Sequence, residues 1–374
     1  MSLRGNNILG IIFSNTGEEL LRELTEKRTL SSVPFGGRYR LIDFPLSNMV
    51  NSGINKVAVL TRRNYQSLMW HLGTGKSWGL SKKRNGLFIF PPFGNSNENF
   101  TNKIEMLSAI SNFIENSKEE YVLLADCDVI CNIDYNGVIA EHIKTNADIT
   151  TVYSKDVLPK QRLNTLVLAL DNNKKITQID TGNDENKDIC NLSMNIIVLK
   201  RELLISLINE CTGRNKYNFN RDILQSNVSN YNIYGYEFKG FNKRINSMSA
   251  YFETNMCIMD KAIRDELFDS QRPIYTKVRD DMPARYGLES RVKNSLVGNG
   301  CIIEGEVENS VIFKGVRIGK KTKVSNCVVM QDTVIGENCN LNYIIADKDI
   351  KIMNERILMG FKSYPVYISK SSVV

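Results

Sequence analysis

Histidine is almost missing from this chain of 374 residues: there are two, His71 and His142, both in the first half. Chemistry that relies on an imidazole base therefore has no candidate anywhere after residue 142. No apolar run approaches the ~18 residues that span a bilayer, and none follows the first residues as a signal peptide requires. A cytoplasmic protein without a membrane partner is expected. The eight cysteines form no CxxC pair, and Cys127 and Cys131 have no histidine nearby to complete a zinc site. Reduced, mostly buried thiols are the reading. Charge of one sign is also lacking, since 48 Lys and Arg against 41 Asp and Glu leave only +7. Short basic patches at Arg62-Arg63 and Lys82-Lys83-Arg84 suit small anions better than nucleic acid.

What is present is ordinary for a globular protein: 42% hydrophobic and 24% charged residues support sizeable cores. At about 150 residues per domain, the length allows two domains. Residues 1–268 alternate apolar runs with helix-like segments. Strands are expected at 8–13, 56–60, 121–125, 148–153, 165–170, 194–199 and 232–238, with helices at 18–27, 45–51, 103–115, 136–144, 201–209 and 250–264. That alternation implies an α/β domain with a mostly parallel sheet, whose ligands sit beyond the carboxyl ends of the strands. A polar linker is expected over 269–291. From 292 to 374 aliphatic residues recur near every sixth position, separated by Gly, Asn or small residues, as in a parallel β-helix.

Four N-terminal features could carry chemistry. The turn Ser14-Asn-Thr-Gly-Glu-Glu19 lies where a phosphate-binding loop would, yet holds only Gly17, and Glu18 and Glu19 suit a plain helix start better than a triphosphate. Ser32-Val-Pro-Phe-Gly-Gly-Arg-Tyr-Arg40 is a stiff loop able to present Arg38 and Arg40 to an anion, or simply to water, before a helix opened by Asp43. Asp126-Cys-Asp128 ends an apolar strand and could hold magnesium or merely cap a turn. In Tyr251-Phe-Glu-Thr-Asn-Met256, the aromatics and Met256 read as core, while Glu253 and Asn255 could equally serve a site or lie on a solvated face.

Taken in order, Val33-Pro-Phe-Gly-Gly-Arg-Tyr-Arg-Leu-Ile-Asp-Phe44, Leu46-Ser-Asn48, Asn51-Ser-Gly53, Val59-Leu-Thr61, Gly73-x-Gly-Lys-x-Trp78, Tyr135, Glu253-x-Asn-Met256 and the hexapeptide tail resemble bacterial glucose-1-phosphate adenylyltransferase over nearly the whole chain. The resemblance implies a Rossmann-like nucleotidyltransferase domain with a mixed, mostly parallel sheet and a C-terminal left-handed parallel β-helix. In that family magnesium-bound ATP is attacked by glucose 1-phosphate, giving ADP-glucose for glycogen, so catalysis rests on positioning and charge neutralisation.

Residue by residue, the match fails where the resemblance would put that chemistry. Glu18 and Glu19 replace the loop's cation and glycines, Leu30 and Ser31 replace Lys-Pro, Asn102-Lys-Ile104 replaces the base-seating Gly-Thr-Ala, Thr181-Gly-Asn183 replaces the sugar-site Glu-Lys-Pro, and Arg244 replaces the second metal aspartate, leaving Asp128 as a remnant. No intact catalytic set and no metal are therefore expected in this chain. No cofactor is required by it, and magnesium is expected only in a catalytic partner. The implied role is a non-catalytic, regulatory subunit in a mixed oligomer, a heterotetramer by resemblance. A sugar-phosphate or nucleotide effector is expected near Arg38 and Arg40, with Arg62, Arg63, Lys82, Lys83 and Arg84 as further contacts. The alternative is a self-sufficient sugar-phosphate nucleotidyltransferase built around Asp126, Asp128 and Arg38. Acyl transfer on the β-helix is excluded for want of histidine.

Overall fold

Six consecutive apolar residues, Ile8–Phe13, cannot face water on either side, and all six are buried at the centre of a nine-stranded sheet. In the computed structural model, which describes residues 7–82, 84–92, 102–158, 165–180, 189–278 and 280–374, this strand lies parallel between Lys56–Leu60 and Tyr121–Asp126. Leu87–Phe90 extends the sheet beyond Lys56–Leu60. On the other side, the long strand Ile189–Lys200 runs antiparallel to Tyr121–Asp126, Ile149–Val157 and Val167–Leu170. Ile233–Glu237 pairs parallel with Ile149–Val157, and Ile176–Asp180 closes the edge against Val167–Leu170. Seven of the nine strands point one way, so the sheet is mixed and mostly parallel.

Leu87–Phe90 and Ile176–Asp180 were not expected as strands. Two expected helices are each divided. Residues 103–115 form Lys103–Ala109 and Ser111–Glu115. Residues 250–264 fall into Met248–Cys257 and Lys261–Leu267, because the Asp260 carboxylate accepts from Ala262 N at 2.8 Å and starts a new helix. The segment expected as one helix from residue 18 is a 3₁₀ turn, Glu18–Leu21, followed by a single α turn, Arg22–Thr25.

The C-terminal part winds into three parallel five-stranded sheets, the architecture of a left-handed hexapeptide β-helix. Inward side chains stack from coil to coil: Val307 on Val324 on Leu341 along one sheet, and Ile303 on Ile318 on Ile335 on Ile352 along another. Corners require positive φ, which asparagine tolerates best after glycine. Asn294, Asn309 and Asn326 occupy one such corner at φ 43°, 46° and 50°. Asn294 Nδ2 also donates to Asn309 Oδ1 at 2.7 Å.

The two parts share a core. Leu21, Leu30, Phe35, Ile130, Ile245 and Tyr251 from the first pack with Val311, Phe313, Val328 and Ile345 from the second. The Gly36-Gly37 turn, at φ 60° and 81°, lets the hairpin Pro34–Phe35/Tyr39–Arg40 approach the β-helix, where Ile312 O and Val311 Cγ1 stand within van der Waals reach of Gly37. Tyr251 Oη donates to Pro34 O at 2.7 Å, and Asn255 Oδ1 accepts from Gly36 N at 3.0 Å. Asn255 is thus fully buried and holds the hairpin, which leaves the solvated face, one of its two readings, to Glu253.

Val324→Asp should remove a stacked core position and bury a charge, destabilising the β-helix by several kcal/mol. Val334→Asp, at an outward-facing position of the same fold, should change stability by less than about 0.5 kcal/mol. Urea unfolding of the two variants checks this, and equal tolerance would disprove the stacked-core assignment of Val324.

Candidate functional site

The carboxyl ends of Ile8–Phe13, Lys56–Leu60 and Tyr121–Asp126 lie side by side at one edge of the sheet, where a parallel sheet places its ligand crevice. Its floor is the loop after the first strand, fixed by Ser14 N donating to Leu60 O at 3.0 Å and Arg62 N donating to Asn15 Oδ1 at 2.9 Å. Asp126 and Asp128 lie beside that loop with 4% and 6% exposure. Each has its own cation.

Lys103, the first residue of its helix, places Nζ 2.8 Å from Asp126 Oδ2, and Thr16 Oγ1 donates to the other oxygen at 3.3 Å. The same ammonium stands 5.0 Å from the centre of the Phe13 ring and 5.9 Å from that of Phe219. Arg244 reaches Asp128 because its strand, Asn242–Arg244, pairs antiparallel with Val129–Cys131 in a register that sets Arg244 against Val129. Its Nε is 3.4 Å from Asp128 Oδ2, while Nη2 donates to Ser193 O at 2.7 Å. Burial pushes the Asp128 carboxyl up to about 6, with Arg244 and Lys103 opposing the rise and Asp126 adding to it. Asp128 Oδ1 is buried without a hydrogen-bond partner.

Glu18 turns inward from its 3₁₀ turn. Its Oε1 accepts from Leu30 N at 3.0 Å and from Asn15 Nδ2. Burial raises its pKa to about 7 against the pull of Leu30 N–H, Asn15, Arg62 and Arg63. Glu19 is exposed, and the Leu30 side chain is wholly buried in the shared core.

These residues do not fit a magnesium ion. A divalent cation selects carboxylate oxygens, whereas here one carboxylate faces an ammonium and the other a guanidinium. Among the described residues no group of three or more His, Cys, Asp or Glu could hold a metal. Beside Arg244 lies a cavity of ≈ 240 Å³ lined by Ser154, Asp156, Thr165, Ser193 and Asn242. Thr181-Gly-Asn183 lies outside the described residues, as does Lys83.

A second charged cluster joins the two parts of the molecule. Arg28 Nη2 donates to Asp347 Oδ1 at 2.6 Å, both side chains nearly inaccessible. Tyr367 Oη is 2.7 Å from Asp347 Oδ2 and 2.8 Å from Glu23 O. Arg40 donates through Nη1 to Ser67 O at 2.7 Å and to Ser67 Oγ at 2.9 Å. Lys348 is close enough that Arg40 and Arg28 add to the effect of burial and lower its pKa to about 6. Asp43, expected to open its helix as a cap, lies instead in the first turn of Asp43–Asn51. There it accepts from Arg40 N at 2.9 Å and faces His71 Nε2 at 2.5 Å.

Of the residues expected to gather an anion, Arg40 belongs to this cluster. Arg38 is exposed over the Tyr39 ring, Arg62 and Arg63 lie toward Glu18, and Lys82 and Arg84 are exposed. Sequence reasoning missed Arg28, Lys103 and Lys348. Only Lys103 carried a local signal, standing within the segment Asn102-Lys-Ile104.

Residues 11–232 match the nucleotidyl transferase family, and residues 281–363 match the GlmU-like C-terminal hexapeptide family. The chain is 35% identical to glycogen biosynthesis protein GlgD of Bacillus subtilis over 98% of its own length and 97% of that protein. Against glycogen biosynthesis protein GlgD of Geobacillus stearothermophilus it is 36% identical over 84% of this chain and 82% of the relative. It is also similar to glucose-1-phosphate adenylyltransferase of Halalkalibacterium halodurans, at 32% identity over 85% of this chain and 84% of that one. No helix of the described residues is long and apolar enough to cross a membrane.

Because the folded pKa of Glu18 lies above its ordinary value of 4.5, the folded state holds the extra proton. Its contribution is full below pH 4.5 and is lost as pH rises toward 7. Glu18→Gln keeps an acceptor for Leu30 N without the buried charge, so at pH 7.5 it should be more stable than the parent by about 1–3 kcal/mol, with little difference at pH 4.5. Denaturant midpoints at the two pH values test this, and a difference that does not change with pH would refute the buried-carboxylate assignment.

Proposed function

We propose, from the premise that this chain belongs to the GlgD branch of the nucleotidyl transferase family, that it serves glycogen biosynthesis as a non-catalytic subunit of a glucose-1-phosphate adenylyltransferase. In this reading it assembles with a catalytic chain and adjusts that chain's synthesis of ADP-glucose from ATP and glucose 1-phosphate. The observation that carries the proposal is Arg244 on Asp128. Transfer of a nucleotidyl group depends on cations placed against the phosphates, and here the chain's own guanidinium occupies the carboxylate that would anchor a metal. Lys103 does the same at Asp126. For a mixed oligomer, the final coil of the β-helix offers exposed Ile357, Phe361 and Tyr364.

The regulatory input we assign to the cluster between the two parts. Arg28 and Lys348 beside Asp347, with Arg40 beside both cations and Asp43, set three basic side chains against two carboxylates, so a small anion such as a sugar phosphate would complete the balance. An anion there would favour the Lys348 ammonium. Binding therefore takes up a proton wherever the pH exceeds about 6, and affinity rises as pH falls from 8 toward 6.

The purified chain, mixed with ATP, glucose 1-phosphate and magnesium, is expected to make no ADP-glucose above background, since each absent charge-stabilising group costs about 10²–10³ in rate. Added to a catalytic glucose-1-phosphate adenylyltransferase chain, it should co-purify and change that enzyme's activity. Turnover by the isolated chain would favour a self-sufficient nucleotidyltransferase centred on Asp126, Asp128 and Arg38.

Sulfate titrated by calorimetry should bind more tightly at pH 6 than at pH 8, and Arg40→Ala should weaken it about tenfold, while Lys348→Met should remove most of the pH dependence. Binding indifferent to both substitutions would place the anion elsewhere.

A further inference from the structure

The misfit between the crevice and a metal has a second consequence, because the side chains that exclude the ligands also supply their charges. Lys103 and Arg244 present positive charge to Asp126 and Asp128, where a divalent cation would. Glu18 presents a carboxyl oxygen to Leu30 N–H and the Asn15 amide, as an anion would. We propose that these three side chains act as built-in ligands that hold the crevice in one closed arrangement and keep the seat of the β-helix independent of nucleotide and metal.

The contacts bind together elements that a ligand would otherwise have to draw in. Thr16 and Glu18 belong to the loop after the first strand, Lys103 to the start of a helix, and Asp126 and Asp128 to the end of a central strand and the turn beyond it. Arg244 comes from the strand Asn242–Arg244, and the carbonyl of Ser193 from Ile189–Lys200. In a crevice worked by ligand, the closed state gains only what the ligand's preference for it supplies. Here the closing contacts are intramolecular and always present, so ligand has little differential affinity left to add.

The same contacts lead directly to the β-helix. Leu30, whose amide serves Glu18, lies in the core shared with Val311, Phe313 and Val328. Ile245, next to Arg244, donates its N–H to Asp128 O at 2.6 Å and packs in that core with Ile130. Glu18, Asp128 and Arg244 are each within one hydrogen bond or two residues of the β-helix seat. A change at the crevice would therefore reach the β-helix through packed side chains, and the fixed charges prevent that change.

This inference deepens the reading of a non-catalytic subunit. Its readout is amide exchange, not turnover or co-purification, so either can fail alone. Hydrogen exchange of the full chain is followed by mass spectrometry with and without magnesium and ATP. In the wild type, peptides covering 14–32, 126–131, 242–246 and 309–330 should exchange slowly and identically in both conditions. Arg244→Gln and the charge-balanced pair Lys103→Met with Asp126→Asn should each speed exchange in those peptides roughly tenfold or more. The helix Tyr135–Lys144, buried neither in the core of the Lys103 helix nor in the one shared with the β-helix, should stay unchanged and report that the variants are folded. Arg244→Lys, which keeps the charge, should restore much of the protection. Wild-type peptides that gain protection with magnesium and ATP would show that the crevice still closes on ligand. Folded variants with wild-type exchange over 309–330 would show that the charges do not hold the β-helix seat. Either result overturns the proposal.

Discussion

A carboxylate buried at the end of an apolar strand must be balanced, and much of this molecule's central architecture follows from that requirement at Asp126 and Asp128. Tyr121–Asp126 is buried along its whole length, flanked by strands on both sides. The acids at its end therefore cannot rely on water, and an uncompensated buried charge is among the most costly features a fold can carry. Lys103 and Arg244 meet the need from two separate elements, each already placed by other forces. The first begins a helix whose apolar face enters the larger sheet core, and the second belongs to a short strand paired with Val129–Cys131. Electrostatics and packing thus agree on the same position for both elements.

Between the two parts of the molecule, Asp347 poses the same problem and meets Arg28, Tyr367 and a backbone amide. These groups come from opposite ends of the chain, Arg28 and Asp347 being 319 positions apart. Apolar contact alone could let one surface slide over another, since packing is non-directional. Arg28 Nη2, shared between both oxygens of a buried carboxylate, fixes the relative placement of the two surfaces. The shared core supplies most of the burial and the ion pair supplies the register.

What could be read in the sequence was whatever repeats or runs locally. The near-hexapeptide spacing gave the β-helix, because each six-residue side of its three-sided coil demands one inward residue, and uniform apolar runs gave the central strands. Leu87–Phe90 escaped because the half-buried edge strand sits among polar residues and has no long run. The division of 250–264 escaped because one residue, Asp260, decides between continuing and restarting. Charged pairs across the fold leave no periodic trace. Asp43 looked like a cap because caps are where aspartate most often precedes a helix, but Arg40 N and His71 compete for its oxygens from outside that helix. Asn255 stayed undecided between a site and a solvated face, because no local pattern announces a buried amide waiting for Gly36 N.

Arg244 shows the difference between a substitution seen alone and one seen in place. In the sequence it stands for a missing carboxylate, a subtraction. In the fold it adds a guanidinium to Asp128 and a hydrogen bond to Ser193 O. Without Arg244, Asp128 Oδ2 would lose the cation it faces; with Arg244 present, only Oδ1 stays unpartnered. Lys103 and Glu18 repeat the pattern with opposite signs, cation to carboxylate and carboxyl oxygen to backbone amide. A helix start, a short strand and a 3₁₀ turn thus each bring a side chain of matching polarity to a partner in the fold. The scaffold around these contacts is held by groups of the chain itself, an ammonium, a guanidinium and a carboxyl oxygen, each paired within the fold.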